Sequence, residues 1–448
     1  TLTLAAISPL LFPTLILIPA FPAIPTGSYS ATHAPPACLL FSLAGLTGGA
    51  AAGQLFSWFS QRTRMPSEQR LPAGDLKWMF AFVGAVLGWQ SAATFLVFAL
   101  ALLLFCLVLP VRALTLTTVA GDLRHPWGLA LLPDGGYLIS ERPGRLLRID
   151  AGGNRHVVSG LPPLAATGQG GLLDLALDGD GWLYLSYSEP GDGGAGTAVA
   201  RARLQKDALV DWQLLFRQQP KVAGGAHFGS RLVLTDDGYL FITLGDRYSE
   251  RARAQTLDNH LGKTVRLHKD GRVPADNPFV KTAGALPEIW SLGHRNMQGA
   301  ALRPVSQQFW AHEHGPQGGD EVNLILPGHN YGWPKVTFGE EYGGGKIGVG
   351  QSAPGMTPPL WVWVPSIAPS GMHFYQGELF KEWQGDLLVG ALRGQALLHL
   401  RLAGDKIISE ERLLTDLGER IRTIREGADG ALYLLTDSGK GRLLKLTP

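Results

Sequence analysis

The hydrophobic pattern divides the chain into two regions. Apolar runs lie near residues 1–24, 38–59 and 78–110, and the charged residues before Arg112 all lie between Arg62 and Lys77. A helix crosses the apolar core of a bilayer with about 20 apolar residues, so each run is long enough to span it. The pattern predicts a transmembrane helical anchor over residues 1–112, with about three or four spans. We therefore expect attachment to the cytoplasmic membrane.

The third apolar run leaves the topology open. Its length suits either one tilted helix or a tight pair that is broken near Gly88–Gln90. The positive-inside rule places the basic cluster Arg62–Arg70 in the cytoplasm. One further span then puts the remainder of the chain outside the cytoplasm, and two spans return it inside.

From about residue 113, short runs in which apolar and polar residues alternate favour β-strands. An apolar residue, an Asp/Gly turn and an aromatic or Leu-rich run recur with a period of about 56 residues, close to that of propeller blades. The copies begin at Leu132, Leu177, Leu234, Val305, Gln384 and Ala428. The repeat predicts an all-β, six-bladed β-propeller over residues 113–448, with a β-sandwich as the less favoured alternative. Wider spacing around the fourth copy predicts long inserted loops there.

Composition excludes some function classes. The 448 residues carry a formal net charge of +2, too small a basic excess to indicate a nucleic-acid partner. The two cysteines, Cys38 and Cys106, both lie in the apolar N-terminal region. The predicted propeller therefore has neither a disulfide framework nor a cysteine-ligated metal.

A stretch of the N-terminal region carries the sequence Pro72-Ala-Gly-Asp75 between apolar runs. Residues 44–107 resemble part of a type IV prepilin peptidase, in which a Gly-x-Gly-Asp motif holds one of two catalytic aspartates. Here Pro72 replaces the first glycine, and the apolar runs contain no second carboxylate. Acid–base proteolysis needs both carboxylates, so we do not expect this activity.

A histidine in a glycine-rich loop is the first candidate for chemistry. His227 lies in Gly224-Gly-Ala-His-Phe-Gly-Ser-Arg231, just before the third repeat. Its pKa near neutrality suits a general base, and Asp246 at the end of that repeat is a plausible carboxylate partner. A hydrogen-bonded structural histidine is the alternative.

Guanidinium and amide groups cluster in three further loops and predict a ligand that carries carboxylates or carbonyls. Solvated surface loops are the alternative for each cluster. The residues are Arg295, Asn296 and Gln298 in one loop, Arg393 in a second, and Arg420 and Arg422 in a third.

The segment from His312 to Asp320 could bind a cation. His312 and His314 suggest a zinc pair, but no third ligand follows at metal spacing. The Gly315-Pro316 turn could instead offer two backbone carbonyls to a hard cation such as Ca²⁺.

Together these segments resemble the soluble-type pyrroloquinoline quinone (PQQ) sugar dehydrogenases, also called glucose/sorbosone or aldose sugar dehydrogenases, over about residues 120–448. The family fold is a six-bladed propeller. The most specific matches are Gly262-Lys-Thr-Val-Arg-Leu, Leu292-Gly-His-Arg-Asn-Met-Gln-Gly, Glu313-His-Gly-Pro, Asp320-Glu-Val-Asn-Leu-Ile and Gly328-His-Asn-Tyr-Gly-Trp-Pro.

The resemblance implies a role for each candidate residue. His227 would take the proton of the sugar's anomeric hydroxyl, Asp246 would orient it, and Gln169 would lie on the substrate side. Gly315 and Pro316 would ligate Ca²⁺. The PQQ-binding residues would be Arg295, Asn296, Gln298, Arg393, Arg420 and Arg422.

Two positions depart from the pattern of glucose-oxidising members, and the one at Ala226 leaves the preferred aldose unspecified. Arg393 stands where glucose-oxidising members carry Lys, and Ala226 stands where they carry Asp. The resemblance still implies oxidation of an aldose to a lactone, with PQQ and Ca²⁺ as cofactors and a cytochrome or quinone as external electron acceptor. It also places the propeller in the periplasm, because enzymes of this type work outside the cytoplasmic membrane. A non-catalytic ligand-binding propeller and a Ca²⁺-dependent lactonase are the alternatives.

Overall fold

The computed structural model describes residues 114–448, which form six four-stranded antiparallel sheets. The expected membrane anchor and the prepilin-peptidase-like stretch lie outside the described residues. Within residues 114–448, the structure contains no helix with the length and apolar character needed to cross a membrane. The six-bladed, all-β propeller predicted from the repeat is confirmed.

Each sheet is one blade, and the bounds of its strands follow chain order. Strand β1 (Thr115–Leu123) precedes blade 1, which comprises β2 (Pro126–Leu131), β3 (Tyr137–Glu141), β4 (Arg145–Ile149) and β5 (Arg155–Val158). Blade 2 comprises β6 (Leu172–Leu177), β7 (Trp182–Gly191), β8 (Gly194–Gln205) and β9 (Ala208–Arg217). Blade 3 comprises β10 (Leu232–Leu234), β11 (Tyr239–Thr243), β12 (Lys263–His268) and β13 (Ile289–Leu292).

The second half of the ring repeats this arrangement. Blade 4 comprises β14 (Met297–Leu302), β15 (Phe309–Glu313), β16 (Asp320–Leu324) and β17 (Trp361–Trp363). Blade 5 comprises β18 (Pro369–Phe374), β19 (Leu387–Ala391), β20 (Leu397–Ala403) and β21 (Lys406–Leu413), and blade 6 comprises β22 (Ile421–Glu426), β23 (Leu432–Thr436) and β24 (Gly441–Thr447). Short 3₁₀ helices lie at Arg251–Gln255, Lys381–Trp383 and Thr415–Leu417.

The first described strand closes the ring. β1 pairs antiparallel with β24, from Thr115 opposite Thr447 to Leu123 opposite Gly441, and so completes blade 6. The first strand of each blade packs beside the first strand of the next, and β22 packs beside β2. These inner strands surround the centre of the ring.

The six repeats correspond to one element of every blade. Each copy forms the turn after the inner strand and then the second strand, β3, β7, β11, β15, β19 or β23. Five turns contain a glycine in the left-handed region, and in the weaker fourth copy Gln307 takes that conformation with φ +54°. The left-handed residue lets the chain reverse within a short hairpin. The turn glycines are Gly135, Gly181, Gly238, Gly385 and Gly430.

The hydrophobic core consists of layers between neighbouring blades. Leu138 of blade 1 packs with Leu172 of blade 2 in one layer, and Trp310 of blade 4 packs with Met372 of blade 5 in another. The remaining neighbouring blades enclose similar clusters. The predicted long insertions are confirmed at Lys269–Glu288 and at Ile325–Leu360, two extended connections in blades 3 and 4.

Candidate active site

The candidate residues lie at one end of the propeller. The inner and second strands of a blade are antiparallel, so the start of one and the end of the other share one face. Residues at or just before inner strands are Gln169 at β6, His227 at β10, Arg295, Asn296 and Gln298 at β14, and Arg420 and Arg422 at β22. Residues just after second strands are Asp246 after β11, Gly315 and Pro316 after β15, and Arg393 after β19.

His227 is buried, and Asp246 holds its ring. Nδ1 of His227 lies 2.6 Å from Oδ1 of Asp246. Oδ2 of the same buried carboxylate accepts a hydrogen bond of 2.7 Å from the indole nitrogen of Trp333. When Nδ1–H donates to a carboxylate, Nε2 is left as the proton acceptor. The pair therefore has the geometry of an oriented general base.

The environment of His227 favours its neutral form. Burial lowers the pKa of His227 below its ordinary value, and the positive charges of Arg295 and Arg247 act in the same direction. The hydrogen bond to Asp246 opposes this change. A neutral imidazole is the state that a base requires. The backbone N–H of His227 also donates to Oε1 of Gln169 at 2.8 Å, which places Gln169 against the base.

Arg295 is buried beside the Gly315 turn. Its Nη1 donates to the carbonyls of Gly315 at 2.8 Å and His314 at 3.1 Å, and its Nη2 lies 3.3 Å from the hydroxyl of Tyr342. Within the described residues, Nε of Arg295 has no hydrogen-bond partner. A buried donor without an acceptor is rare, and this one suits an anionic ligand.

Arg422 joins the other predicted ligand-binding groups into a buried chain. Its Nη1 donates to Oε1 of Gln298 at 2.9 Å, and its Nη2 donates to Oδ2 of Asp437 at 2.5 Å. Nε2 of Gln298 donates to Oδ1 of Asn296 at 3.3 Å. In the part of the chain that the structure describes, Nε of Arg422 is also left without an acceptor. Although burial opposes it, Arg422 holds the pKa of Asp437 well below its usual value.

The other two predicted arginines are exposed. Arg420 immediately precedes β22, and Arg393 follows β19. Partial burial lowers the pKa of Arg420, and the charge of Arg422 adds to this, whereas Asp437 opposes it. Arg420 and Arg422 thus act on the same carboxylate, as expected for alternate positions on one strand. The exposed guanidiniums suit the carboxylates of a ligand that enters from this face.

Several residues of this face were not predicted from the sequence. Arg142 donates to the carbonyl of Gly168, next to Gln169, and its charge also acts on Arg420. Arg142 follows β3 just as Asp246 follows β11, and Asp437 follows β23 in the same way. An alignment of the six repeats by their second strands would have identified Arg142 and Asp437. Trp333 comes from the long insertion in blade 4; it lies in the Gly328-His-Asn-Tyr-Gly-Trp-Pro motif, but that motif gave no role to the indole.

The Gly315-Pro316 turn is held from both sides. The backbone N–H of Gly315 donates to Oδ1 of Asp320 at 2.9 Å, and its carbonyl accepts from Arg295. Within residues 114–448, no cluster of three or more His, Cys, Asp or Glu side chains could hold a metal. Backbone carbonyls are ligands of the type that Ca²⁺ accepts. Arg295 uses one lone pair of the Gly315 carbonyl, and the second remains available to a cation.

The donors on this face fit PQQ, which carries three carboxylates. Among the described residues, three buried guanidiniums, those of Arg247, Arg295 and Arg422, each have an Nε without a protein acceptor, and the predicted Arg393 and Arg420 are exposed. A ligand with several carboxylates would supply the missing acceptors.

Comparison with known proteins gives the same fold and a family. Residues 123–445 match the family model described as Glucose / Sorbosone dehydrogenase. The aldose sugar dehydrogenase YliI of Escherichia coli (strain K12) is 48% identical over 337 residues, which cover 73% of this chain and 91% of the relative.

Two solved structures extend the comparison. The apo-form of the soluble aldose sugar dehydrogenase from Escherichia coli is 46% identical with a TM-score of 0.73, over 75% of this chain and 100% of the other. The PQQ-bound aldose sugar dehydrogenase from Streptomyces coelicolor is 28% identical with a TM-score of 0.62, over 75% of this chain and 98% of the other. By the extent of the family match and the identity to these relatives, this chain belongs to the glucose/sorbosone dehydrogenase family.

Proposed function

We propose that the protein is a PQQ-dependent aldose sugar dehydrogenase that oxidises the anomeric carbon of an aldose and releases a lactone. The observation that carries this proposal is the buried His227–Asp246 pair, which lies on the same face as Arg295 and Arg422 with their unpartnered donors. The names of two similar proteins, an aldose sugar dehydrogenase and a PQQ-bound aldose sugar dehydrogenase, support the same reaction and cofactor.

His227 acts as the base. With Nδ1–H donated to Asp246, Nε2 accepts the proton of the anomeric hydroxyl, and the electron pair of that O–H bond forms the new C=O bond. The hydrogen on the anomeric carbon departs with its electron pair. PQQ, when bound, supplies the two-electron acceptor for this hydride. Gln169 accepts a hydrogen bond from the backbone of His227, and we assign to it the orientation of the sugar hydroxyls on this basis.

Four arginines and two amides bind the cofactor. Arg295 and Arg422 use the buried donors that now lack acceptors, and Arg393 and Arg420 contribute exposed charge. Asn296 and Gln298 complete the hydrogen-bonding set. Because Arg393 has a planar guanidinium where glucose-oxidising members have Lys, the geometry of that contact differs from theirs.

We also propose that Ca²⁺ binds at the carbonyls of Gly315 and Pro316. When bound there it supplies Lewis-acid polarisation of an adjacent carbonyl. Asp320 fixes the turn through the backbone N–H of Gly315. Calorimetric titration of Ca²⁺ into protein with and without PQQ tests this site, and the same weak heat as with Mg²⁺ would argue against it.

Reconstitution distinguishes the proposed enzyme from the two alternatives. Purified apo-protein is supplied with PQQ and Ca²⁺, its absorption spectrum and metal content are measured, and dye reduction is followed with a series of aldoses. Dye reduction that depends on PQQ supports the proposal. Bound PQQ without turnover of any aldose indicates a non-catalytic binder, and lactone hydrolysis without PQQ indicates a lactonase.

A matched pair of histidine variants tests the base. His227→Ala should abolish turnover while PQQ affinity, measured by fluorescence quenching, stays within about threefold, because the imidazole contacts the substrate. The control is His156→Ala, on the outer strand β5. Activity of His227→Ala close to wild type would remove it as the base.

We propose that the N-terminal apolar runs anchor the protein in the cytoplasmic membrane and that residues 114–448 work in the periplasm. A cytochrome or quinone would then collect the electrons. The support is the length of the apolar runs and the periplasmic setting expected for this cofactor. A reporter fused after Arg112 should score as periplasmic, and a cytoplasmic score would reverse the placement.

A further inference from the structure

The backbone after Asp246 is held in an unfavourable conformation. Arg247 and Tyr248 both have left-handed φ angles, +57° and +66°. This region disfavours residues with side chains, and bulky ones most. The backbone N–H of Tyr248 donates to Oδ1 of Asp246 at 2.8 Å, the same oxygen that lies against His227. The turn is therefore tied to the catalytic pair.

Arg247 fixes this turn from the other side. Its buried guanidinium donates to the carbonyl of Gly224 at 2.6 Å and also to that of Ala226, both in the loop that carries His227. Its Cζ lies 3.6 Å from the ring centroid of Phe228. Because Asp246 and Arg247 are both anchored, the backbone has little freedom to direct the side chain of Tyr248 elsewhere.

The ring of Tyr248 nevertheless lies largely in solvent. It is 54% exposed, and its centroid is 5.3 Å from the imidazole of His227 at an interplanar angle of 74°. An exposed aromatic side chain gains little from packing against the protein. The strained backbone thus presents an apolar surface directly beside the proposed base.

A second loop with an exposed tyrosine is tied to this one. Arg251, three residues after Tyr248, forms an ion pair of 2.6 Å with Glu341. The next residue, Tyr342, is 59% exposed and bonds through its hydroxyl to Arg295. The ion pair thus joins the loop of one exposed tyrosine to the loop of the other. Tyr248 lies on the side of the base, and Tyr342 lies on the side of the cofactor arginine.

We propose that Tyr248 is a substrate-contacting residue that forms one wall of the aldose subsite. Its ring packs against the apolar C–H face of the sugar while the anomeric hydroxyl is directed to Nε2 of His227. This inference rests on the proposed function. The ring of Tyr248 contributes to the affinity for the sugar and takes no part in binding the cofactor.

Three variants at this position test the contact. Tyr248→Ala should raise KM for the best aldose about tenfold and leave kcat within about threefold, because the contact serves binding more than the chemical step. Tyr248→Phe retains the ring and should keep the wild-type KM. Tyr248→Asn suits the left-handed backbone and should match the alanine variant, which separates ring loss from backbone distortion.

Other readouts separate this contact from damage to the base or the cofactor site. PQQ affinity, measured by fluorescence quenching, and the pH dependence of kcat should stay at wild-type values in all three variants. Ile408→Ala, at a residue that is 56% exposed on the outer strand β21, is the control and should change nothing. A wild-type KM in both Tyr248→Ala and Tyr248→Asn would overturn the inference, and so would a Phe variant as defective as the Ala variant. Failure of the proposed function looks different, because the PQQ-loaded wild type would then oxidise no aldose.

Discussion

At the scale of single residues, the site depends on a close approach of two segments. A Cβ on Gly245 would lie 2.2 Å from the carbonyl oxygen of His227, so only glycine allows the chain before Asp246 to pass this near to the base. His227 itself has a left-handed φ of +53°. The backbone thus places the imidazole and the carboxylate opposite each other before any ligand binds, which lowers the cost of orienting them.

The electrostatics of His227 predict the pH dependence of turnover. Burial lowers the pKa of His227 below 6.5, so the acid limb of kcat/KM should have its midpoint below pH 6.5. Asp246 raises that pKa, so Asp246→Asn should move the midpoint to still lower pH. The same variant should reduce kcat by about 10- to 10⁴-fold, because the imidazole loses its orientation.

The control for this experiment is Asp134→Asn, at a carboxylate that pairs with Arg148 on blade 1. It should leave both the midpoint and kcat unchanged. A midpoint that rises in Asp246→Asn would show that the carboxylate does not stabilise the protonated imidazole.

Among the secondary-structure elements, the 3₁₀ helix Arg251–Gln255 is held in place by a buried lysine. Nζ of Lys263, at the start of β12, donates to the carbonyls of Leu261, Arg253 and Ala254 at 2.6, 2.9 and 3.2 Å. The last two belong to the 3₁₀ helix Arg251–Gln255, and Gln255 in turn donates to the carbonyl of Trp333 at 2.7 Å. The helix therefore links the lysine to the indole that holds Asp246.

Removal of this lysine should change stability in a pH-dependent way. Lys263→Met leaves buried carbonyls unsatisfied and should lower the free energy of unfolding by about 1–3 kcal/mol. Burial lowers the pKa of Lys263 to about 7, so between about pH 7 and pH 10 the unfolded wild type binds more protons than the folded protein. Wild-type stability relative to the variant should therefore rise with pH across this window.

Denaturant unfolding at pH 6.5, 8 and 9.5 measures this difference. Lys381→Met, at an exposed lysine of the second 3₁₀ helix, should follow the wild type at every pH. A difference between wild type and Lys263→Met that stays constant with pH would mean that the folded lysine titrates normally.

At the scale of the whole molecule, the ring depends on its closing strand and on a residue at its centre. Arg231 is buried and contacts four other blades: Trp127 of blade 1, Asp174 of blade 2, the carbonyl of Gln298 of blade 4, and the carbonyl of Arg422 of blade 6. It thereby fixes the backbone of two proposed cofactor residues. β1 completes blade 6, which otherwise would present β24 as an open edge.

The pairing of β1 with β24 predicts how far the chain can be truncated from its N-terminal side. A chain of residues 113–448 should be soluble and unfold in a single cooperative transition, because it retains β1. A chain of residues 125–448 should aggregate or unfold at a lower temperature, since the edge of β24 is then unpaired. Calorimetry and size-exclusion chromatography of the two chains make the comparison. Equal thermal stability would show that β1 is dispensable for closure.

The blades could be predicted from the sequence, because each blade is encoded by local signals. A left-handed turn followed by an aromatic or Leu-rich strand is written in neighbouring residues, so the six second strands were predictable, and the spacing of the copies predicted the long insertions. Short loop motifs likewise identified His227 and Arg295 as candidates. The expected membrane anchor depends on hydrophobic length alone, and it remains a prediction.

Which residues meet at the site became visible only in the folded ring. Trp333 reaches Asp246 from an insertion 87 residues away, and Arg231, just before β10, reaches the carbonyl of Arg422 in blade 6. The strained turn that exposes Tyr248 depends on Arg247 bonding to a loop more than 20 residues earlier. Such contacts join different blades or distant loops, and a local pattern does not record which distant segments the closed ring brings together.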